Sequence, residues 1–140
     1  AYFYEIFNEV NADDEATKNQ FISKLFEKCG SSPPTFDLTL LGLGDDGHTA
    51  SLFPYQKNNN VDDFVIFNEG KGLKRISLTP KVLSASSKIV FLVSGASKRI
   101  ALERLLDEKE PSDRTPSKLI KSINQISIFC DQESAKELKI

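Results

Sequence analysis

Residues 36–54 read FDLTLLGLGDDGHTASLFP, and this stretch decides how the rest of the chain is interpreted. Its first half is short and apolar, which predicts a buried strand over residues 36–43. Its second half is rich in glycine and carries His48, the only histidine of the chain. Ligands of open α/β sheets bind at the carboxyl ends of the strands, so the turn after this strand is a candidate site.

Three glycines frame that turn. Gly42, Gly44 and Gly47 predict a backbone that takes positive φ angles and comes close to a small molecule. We therefore treat all three as candidate substrate-binding residues. The residues after Gly47 are expected to open a short helix, whose free N–H groups would attract an anion.

Strand-like and helix-like segments alternate along the remainder of the chain. A helix is predicted from the cap residues and acids at 11–15 to Gly30, with a short strand before it at residues 2–7. Further strands are predicted at residues 65–67, 75–79, 89–93 and 126–129, with helices between and after them. This alternation predicts an α/β fold with an open, mostly parallel sheet and helices on both of its faces.

Two of the predicted strands are apolar on both faces. Residues 38–41 read LTLL and residues 90–93 read VFLV, which is typical of strands covered by helices on either side. Only three or four helices are expected from the pattern, and some are short. The sequence therefore predicts that at least one apolar strand edge or face is left exposed within this chain.

Composition limits the classes of function. The chain has 140 residues, of which 39% are hydrophobic and 27% charged, as in one globular domain. A net charge of −2 gives no field that would attract nucleic acid or a membrane surface. Without a basic n-region or a long apolar run, a cytoplasmic location is expected. Cys29 and Cys130 are expected to be reduced and buried. The sequence contains no cluster of His and Cys residues that would bind a structural zinc ion.

Residues 41–54, LGLGDDGHTASLFP, resemble the signature of the 6-phosphogluconolactonases. Later segments are similar to that family in the same order: RISLT at 75–79, KIVFLVSGASK at 88–98 and IFCDQESA at 128–135. The resemblance runs with gaps from about Phe36 to the end. It implies a Rossmann-like architecture shared with sugar-phosphate isomerases, and hydrolysis of 6-phosphoglucono-δ-lactone in the pentose phosphate pathway. It also implies a sugar-phosphate substrate and no cofactor.

The same resemblance leads us to expect a longer protein. The lactonase family carries an upstream half with a phosphate loop rich in glycine, serine and threonine, and no segment of this chain matches it. We therefore expect these 140 residues to be the C-terminal part of the domain, with the missing N-terminal half as their partner. Whether the whole belongs to a larger, bifunctional polypeptide is left open.

His48 is the candidate catalytic base, because an imidazole has an unperturbed pKa of about 6.5 and exchanges protons near neutral pH. Asp46 lies two residues earlier and can accept a hydrogen bond from His48, which would fix the tautomer of the ring. Alternatively, Asp46 bonds backbone N–H groups and only shapes the turn. Backbone N–H groups around residues 42–44 are candidates to stabilise the oxyanion of an attacked carbonyl.

Arg75 and Lys98 are the candidate phosphate ligands. A guanidinium grips a phosphate with two donors, and a lysine supplies a point charge. Arg75 begins a predicted strand and Lys98 follows a strand-to-helix turn, so both can lie near one edge of the sheet. The alternative for each is a solvated surface cation, and the resemblance favours the phosphate role for both.

Three other interpretations remain open. Ser51 lies three residues after His48 and raises the possibility of a serine nucleophile, but the Gly-X-Ser-X-Gly pattern is missing around it. Glucosamine-6-phosphate isomerases share the Asp-Gly-His core, but carry a glutamate five residues after the histidine, where this chain has Phe53. The third interpretation is a non-catalytic domain that binds sugar phosphates.

Overall fold

A computed structural model describes residues 13–30, 34–136 and 138, so the strand expected at residues 2–7 lies outside the described residues. The described strands are β1 Thr39–Gly42, β2 Val65–Gly70, β3 Leu73–Leu78, β4 Ile89–Val93 and β5 Ile126–Cys130. The α-helices are α1 Asp14–Cys29, α2 Pro80–Ser84, α3 Arg99–Leu106 and α4 Gln132–Ala135. Short 3₁₀ helices occupy Lys57–Asn60, Ala96–Lys98 and Pro116–Leu119.

The central sheet has three parallel strands in the order β1-β4-β5. Leu41 of β1 pairs with Phe91 of β4, which pairs in turn with Ile128 of β5. Strands β2 and β3 form a separate antiparallel hairpin. The predicted α/β fold with a mostly parallel sheet is confirmed, and its strand order requires crossover connections between the parallel strands.

One face of this sheet is packed and the other is open. Phe91 and its neighbours face α3, where Ala101 and Leu102 are fully buried. On the opposite face Leu40, Leu92 and Phe129 expose 59%, 51% and 64% of their surface. The predicted exposed apolar face is thus present in the described part of the chain, and the strands are buried on one side only. Cys130 was expected to be buried, and this was wrong, because it lies exposed at the end of β5.

Helix α1 begins and ends where the sequence predicts. The side chain of Asp13 caps its N-terminus by accepting a hydrogen bond of 3.1 Å from the Glu15 N–H. Gly30 ends it in the left-handed conformation with φ 63°. The helix packs against β2, with Leu25 buried in the contact region. None of the described helices has the length and apolar character to cross a membrane.

The helix expected after Gly47 does not form. Residues 49–52 instead make a tight turn, in which the Leu52 N–H donates to the Thr49 carbonyl at 2.9 Å and Ala50 takes φ 50°. Pro54 has no N–H with which to continue a helical ladder. In this turn Leu52 is completely buried, and Phe53 exposes only 8% of its surface. The proposed anion attraction by a helix terminus at this place was therefore wrong.

Candidate active site

His48 and Asp46 form a hydrogen-bonded pair directly after β1. The His48 Nδ1 lies 2.5 Å from Asp46 Oδ1, and the His48 backbone N–H donates to the same oxygen at 3.0 Å. Asp46 therefore plays both of the roles considered from the sequence, because it bonds the ring and also shapes the turn. With Nδ1–H directed at the carboxylate, Nε2 of the neutral ring is left as the proton acceptor.

The Asp46 carboxyl is held in its ionised form. Partial burial raises the pKa of Asp46, but hydrogen bonds from the backbone and ring of His48 outweigh the burial, and the net shift is downward. A carboxylate that stays charged near neutral pH orients a neighbouring imidazole and stabilises its protonated form. The pair thus has the geometry and the charge of a general base with its orienting acid.

Gly44 leaves the space that this pair occupies. A Cβ at position 44 would lie 2.0 Å from His48 Nδ1 and 2.7 Å from Asp46 Oδ1. The Gly44 N–H donates to the His48 carbonyl at 2.8 Å, so it is engaged and does not serve as an oxyanion donor. The glycine at 44 is therefore required by the close approach of His48.

Positive φ was expected at all three glycines of the turn, and this was wrong for two of them. Only Gly47 takes it, with φ 91°, and it packs against Thr115, whose Cγ2 would lie 3.0 Å from an added Cβ. Gly42 has ordinary backbone angles and no atom within 4 Å of an added Cβ. Gly47 is thus a structural requirement of the turn.

Buried polar side chains tie the turn to the β2–β3 hairpin. The Asn68 side chain donates to the Ser51 carbonyl at 2.8 Å, and the Ser51 N–H donates to Ser77 Oγ at 3.1 Å. Asn59 donates to the Phe53 carbonyl at 2.7 Å and accepts from Asn68 at 2.9 Å. The hairpin is thereby fixed beside His48, and Ser51 lies on a turn instead of sharing a helix face with the histidine.

A cavity of about 400 Å³ opens at the carboxyl end of β1, in front of the histidine. It brings together four of the predicted site residues, Gly42, Gly44, His48 and Lys98. It also brings in Lys71, a residue that the sequence analysis did not select. The full lining is Gly42, Leu43, Gly44, Asp45, His48, Thr49, Ala50, Lys71 and Lys98.

Arg75 and Gly47 are not among the residues that line this cavity. Arg75 is exposed on β3, where it pairs with Asn68 of β2. The resemblance of residues 75–79 to a family strand located the strand itself, which β3 confirms. It did not determine which basic side chain of the hairpin faces the cavity.

Lys71 occupies the two-residue turn of the hairpin. Gly70 pairs with Leu73, and the two residues between them, Lys71 and Gly72, have φ 53° and 72°. Positive φ at both central positions is the requirement of a type I′ turn, in which asparagine and glycine are preferred. A lysine in this conformation costs about 1–3 kcal/mol. The GKG motif at residues 70–72, between two predicted strands, indicates a turn. It does not indicate that this turn lies beside the cavity.

Asp131 holds the turn that carries Lys98. Its carboxylate accepts hydrogen bonds from Ser94 Oγ at 2.7 Å, the Gly95 N–H at 3.0 Å and the Ser134 N–H at 2.8 Å. Led by the Ser94 hydroxyl, these donors lower the pKa of Asp131 far below its usual range. Asp131 was overlooked as a site residue, although an aspartate directly before a helix is a signal of an N-cap.

We expect Asp131→Asn to lower the melting temperature at neutral pH, and by progressively less below about pH 4. The folded pKa lies below the unfolded value, so the stabilisation is complete above the unfolded pKa and is lost as the pH falls toward the folded one. Asparagine also caps helices, so the comparison isolates the charge. Thermal unfolding at pH 7, 5, 4 and 3 measures it; a difference independent of pH would contradict the assignment.

The described residues contain no group of side chains suited to binding a metal ion. Among residues 13–30, 34–136 and 138, no three His, Cys, Asp or Glu side chains lie together in a way that would hold a metal ion. The ionisable groups that line the cavity are the His48 imidazole, the Asp45 carboxylate and two lysines, and the Asp46 carboxylate bonds the imidazole. Such a set suits proton transfer next to a bound anion.

Comparison with known families agrees with this combination of parallel sheet and strand-end histidine. The model for the family "Glucosamine-6-phosphate isomerases/6-phosphogluconolactonase" matches residues 2–128, so the chain belongs to this family of sugar-phosphate proteins. Within it, the chain is 35% identical over 127 residues to the 6-phosphogluconolactonase of Synechocystis sp.. It is 30% identical over 136 residues to the 6-phosphogluconolactonase of Homo sapiens.

The chain spans about half the length of the curated relatives it matches. The two alignments cover 90% and 94% of the chain, but 53% and 51% of the relatives. Among solved structures, the devB protein is 30% identical to this chain and superposes with a TM-score of 0.79. The match covers 91% of this chain and 56% of the devB chain. A glucosamine-6-phosphate deaminase shares the fold at 23% identity and a TM-score of 0.68, covering 90% and 56%.

Proposed function

We propose that the full-length protein hydrolyses 6-phosphoglucono-δ-lactone to 6-phosphogluconate. The observation that carries this proposal is the His48–Asp46 pair at the mouth of the cavity, with the Nδ1 of the ring 2.5 Å from the carboxylate. A base of this kind activates water for attack on an ester carbonyl without a covalent intermediate. The 6-phosphogluconolactonases among the relatives support the same substrate.

The mechanism transfers one proton twice. His48 Nε2 takes a proton from water as the water oxygen bonds to the C1 carbonyl of the lactone, which gives a tetrahedral oxyanion and an imidazolium. Asp46 stabilises the imidazolium through Nδ1–H. The carbonyl then re-forms, the bond from C1 to the ring oxygen breaks, and the imidazolium returns its proton to that oxygen. The open-chain acid leaves, and the base is neutral again.

Phe53 supports a hydrolase over an isomerase. Its ring lies 4.8 Å from the His48 ring, between centroids, and it is only 8% exposed. The isomerases that this chain resembles carry a glutamate at this position, and a buried phenylalanine supplies no carboxylate for ring opening. Phe53 instead packs against the imidazole.

The phosphate group is proposed to anchor the substrate away from the reacting carbon. Lys98 lines the cavity and makes no ion pair within the described part of the chain. A bound phosphate therefore meets an uncompensated positive charge there. Binding energy from this remote group orients the lactone for attack at C1.

A further segment of the same protein is proposed to cover the open face of the sheet. Leu40, Leu92 and Phe129 form an apolar surface on three adjacent strands, which is unusual for a surface in contact with water. The relatives are about twice as long as the part of them that this chain matches. The proposed N-terminal half would pack against this face and add the phosphate loop.

Enzyme assays on the full-length protein and on the 140 residues alone test both proposals. We expect the full-length protein to hydrolyse the lactone above the rate in water, and not to deaminate glucosamine-6-phosphate. The 140 residues alone are expected to be inactive and partly molten, and co-expression with the upstream half is expected to restore activity. Lactonase activity and a cooperative melting transition from the 140 residues alone would contradict the proposal that an upstream half completes the site.

A further inference from the structure

We infer that Lys71, and not Arg75, is the second cation that binds the phosphate of the substrate. This inference rests on the proposed function and makes it more specific. Lys71 and Lys98 line the cavity that contains His48, whereas Arg75 does not. A phosphate monoester carries a charge of about −1.5 to −2 at neutral pH, which two lysines balance better than one.

In the part of the chain that the structure describes, neither lysine forms an ion pair that would compete with a bound phosphate. Within residues 13–30, 34–136 and 138, no carboxylate lies within ion-pair distance of Lys71 or Lys98. Their neighbour Lys74 differs, since it is paired with Asp14 and lies over the Phe67 ring. The Asp45 carboxylate also lines the cavity and is its one exposed acid. Among the described residues, Asp45 forms no ion pair with either lysine.

The backbone of Lys71 is the second observation. Asparagine or glycine would adopt the φ of 53° with less strain, yet a lysine stands at the tip of the hairpin. Backbone strain of this kind clusters at functional sites. The hairpin itself is anchored to the catalytic turn by Asn68 and Ser77, so its tip is held at the cavity.

The two observations predict opposite effects of one substitution. Lys71→Asn removes the cation and relieves the strained backbone. We expect this variant of the full-length protein to melt about 2–4 °C higher than the natural sequence. We expect its KM for 6-phosphoglucono-δ-lactone to rise about 10-fold or more, with kcat changed far less. The KM for unphosphorylated glucono-δ-lactone should not change.

Three further variants make the test specific. Lys98→Asn should raise KM for the phosphorylated lactone in the same way, but without the gain in melting temperature. Lys71→Arg keeps the charge and should restore most of the binding. Lys74→Asn removes an equal charge from the same hairpin and is the matched control, for which KM should stay within about twofold.

Direct binding separates this inference from the proposed activity. Calorimetric titration of 6-phosphogluconate into each variant needs no turnover, so a missing lactonase activity would overturn the proposed function without deciding the role of Lys71. Equal affinity in the natural protein and Lys71→Asn would overturn the inference. So would a loss at Arg75→Asn without a loss at Lys71→Asn, or equal losses of both lactones in Lys71→Asn.

Discussion

Replacing His48 by alanine is expected to lower kcat for lactone hydrolysis by about 10²–10⁴-fold in the full-length protein. Of the described residues that line the cavity, only His48 both accepts a proton and is oriented by a carboxylate, which lies 2.5 Å from Nδ1. Alanine leaves the Asp46 carboxylate without its ring partner but keeps the backbone hydrogen bond of 3.0 Å from residue 48. The turn should therefore keep its shape.

The measurement has to allow for the uncatalysed reaction, because δ-lactones also open in water. Initial rates are corrected for hydrolysis in buffer at the same pH, and the melting temperature of the variant confirms that the domain is folded. A matched variant, Phe53→Leu, keeps the base and alters only its packing, and its loss should be much smaller. Undiminished activity in a folded His48→Ala protein would rule out the proposed mechanism.

The second large effect is expected from Gly44→Ala. The added methyl group would lie 2.0 Å from His48 Nδ1 and 2.2 Å from Cε1, so the ring has to move away from Asp46. A displacement of about 1 Å at a catalytic group lowers the rate by about 10²-fold. Because the clash is with a side chain that can turn outward, stability should fall much less than activity.

Gly42→Ala provides the comparison for that experiment. Position 42 lies in the same strand end and lines the same cavity, but an added Cβ there has no atom within 4 Å. Its effect on kcat should be at least about tenfold smaller than that of Gly44→Ala. Equal losses for the two variants would show that glycine is needed at this strand end for substrate access and not for the position of the base.

Local patterns were sufficient for the strands that the structure describes, for α1 and for the proximity of His48 and Asp46. The strand before residue 42 and the helix ending at Gly30 follow from apolar runs, caps and glycine, which act over a few residues. The His48–Asp46 contact also joins residues two positions apart. The resemblance to a family then supplied the chemistry for which this local pair is used.

Contacts between distant segments were the limit of sequence reasoning. The missing helix after Gly47 depends on the burial of Phe53 beneath a hairpin that begins at Val65. The choice between Lys71 and Arg75 depends on which end of that hairpin meets the cavity. Both are decided by packing, which a pattern of hydrophobic and polar residues along the chain does not encode.

The packing of Phe53 has a consequence for redesign of this protein. A Cβ at position 70 would lie 2.1 Å from the Phe53 ring, and the same ring lies 4.8 Å from the His48 ring, between centroids. Positions 53 and 70 therefore have to be altered as a pair, and a larger residue at position 70 requires a smaller residue than phenylalanine at position 53. A library that varies the hairpin but keeps Phe53 would displace the His48 ring in most of its members. Those variants would be inactive for that reason, whatever sugar the altered hairpin could bind.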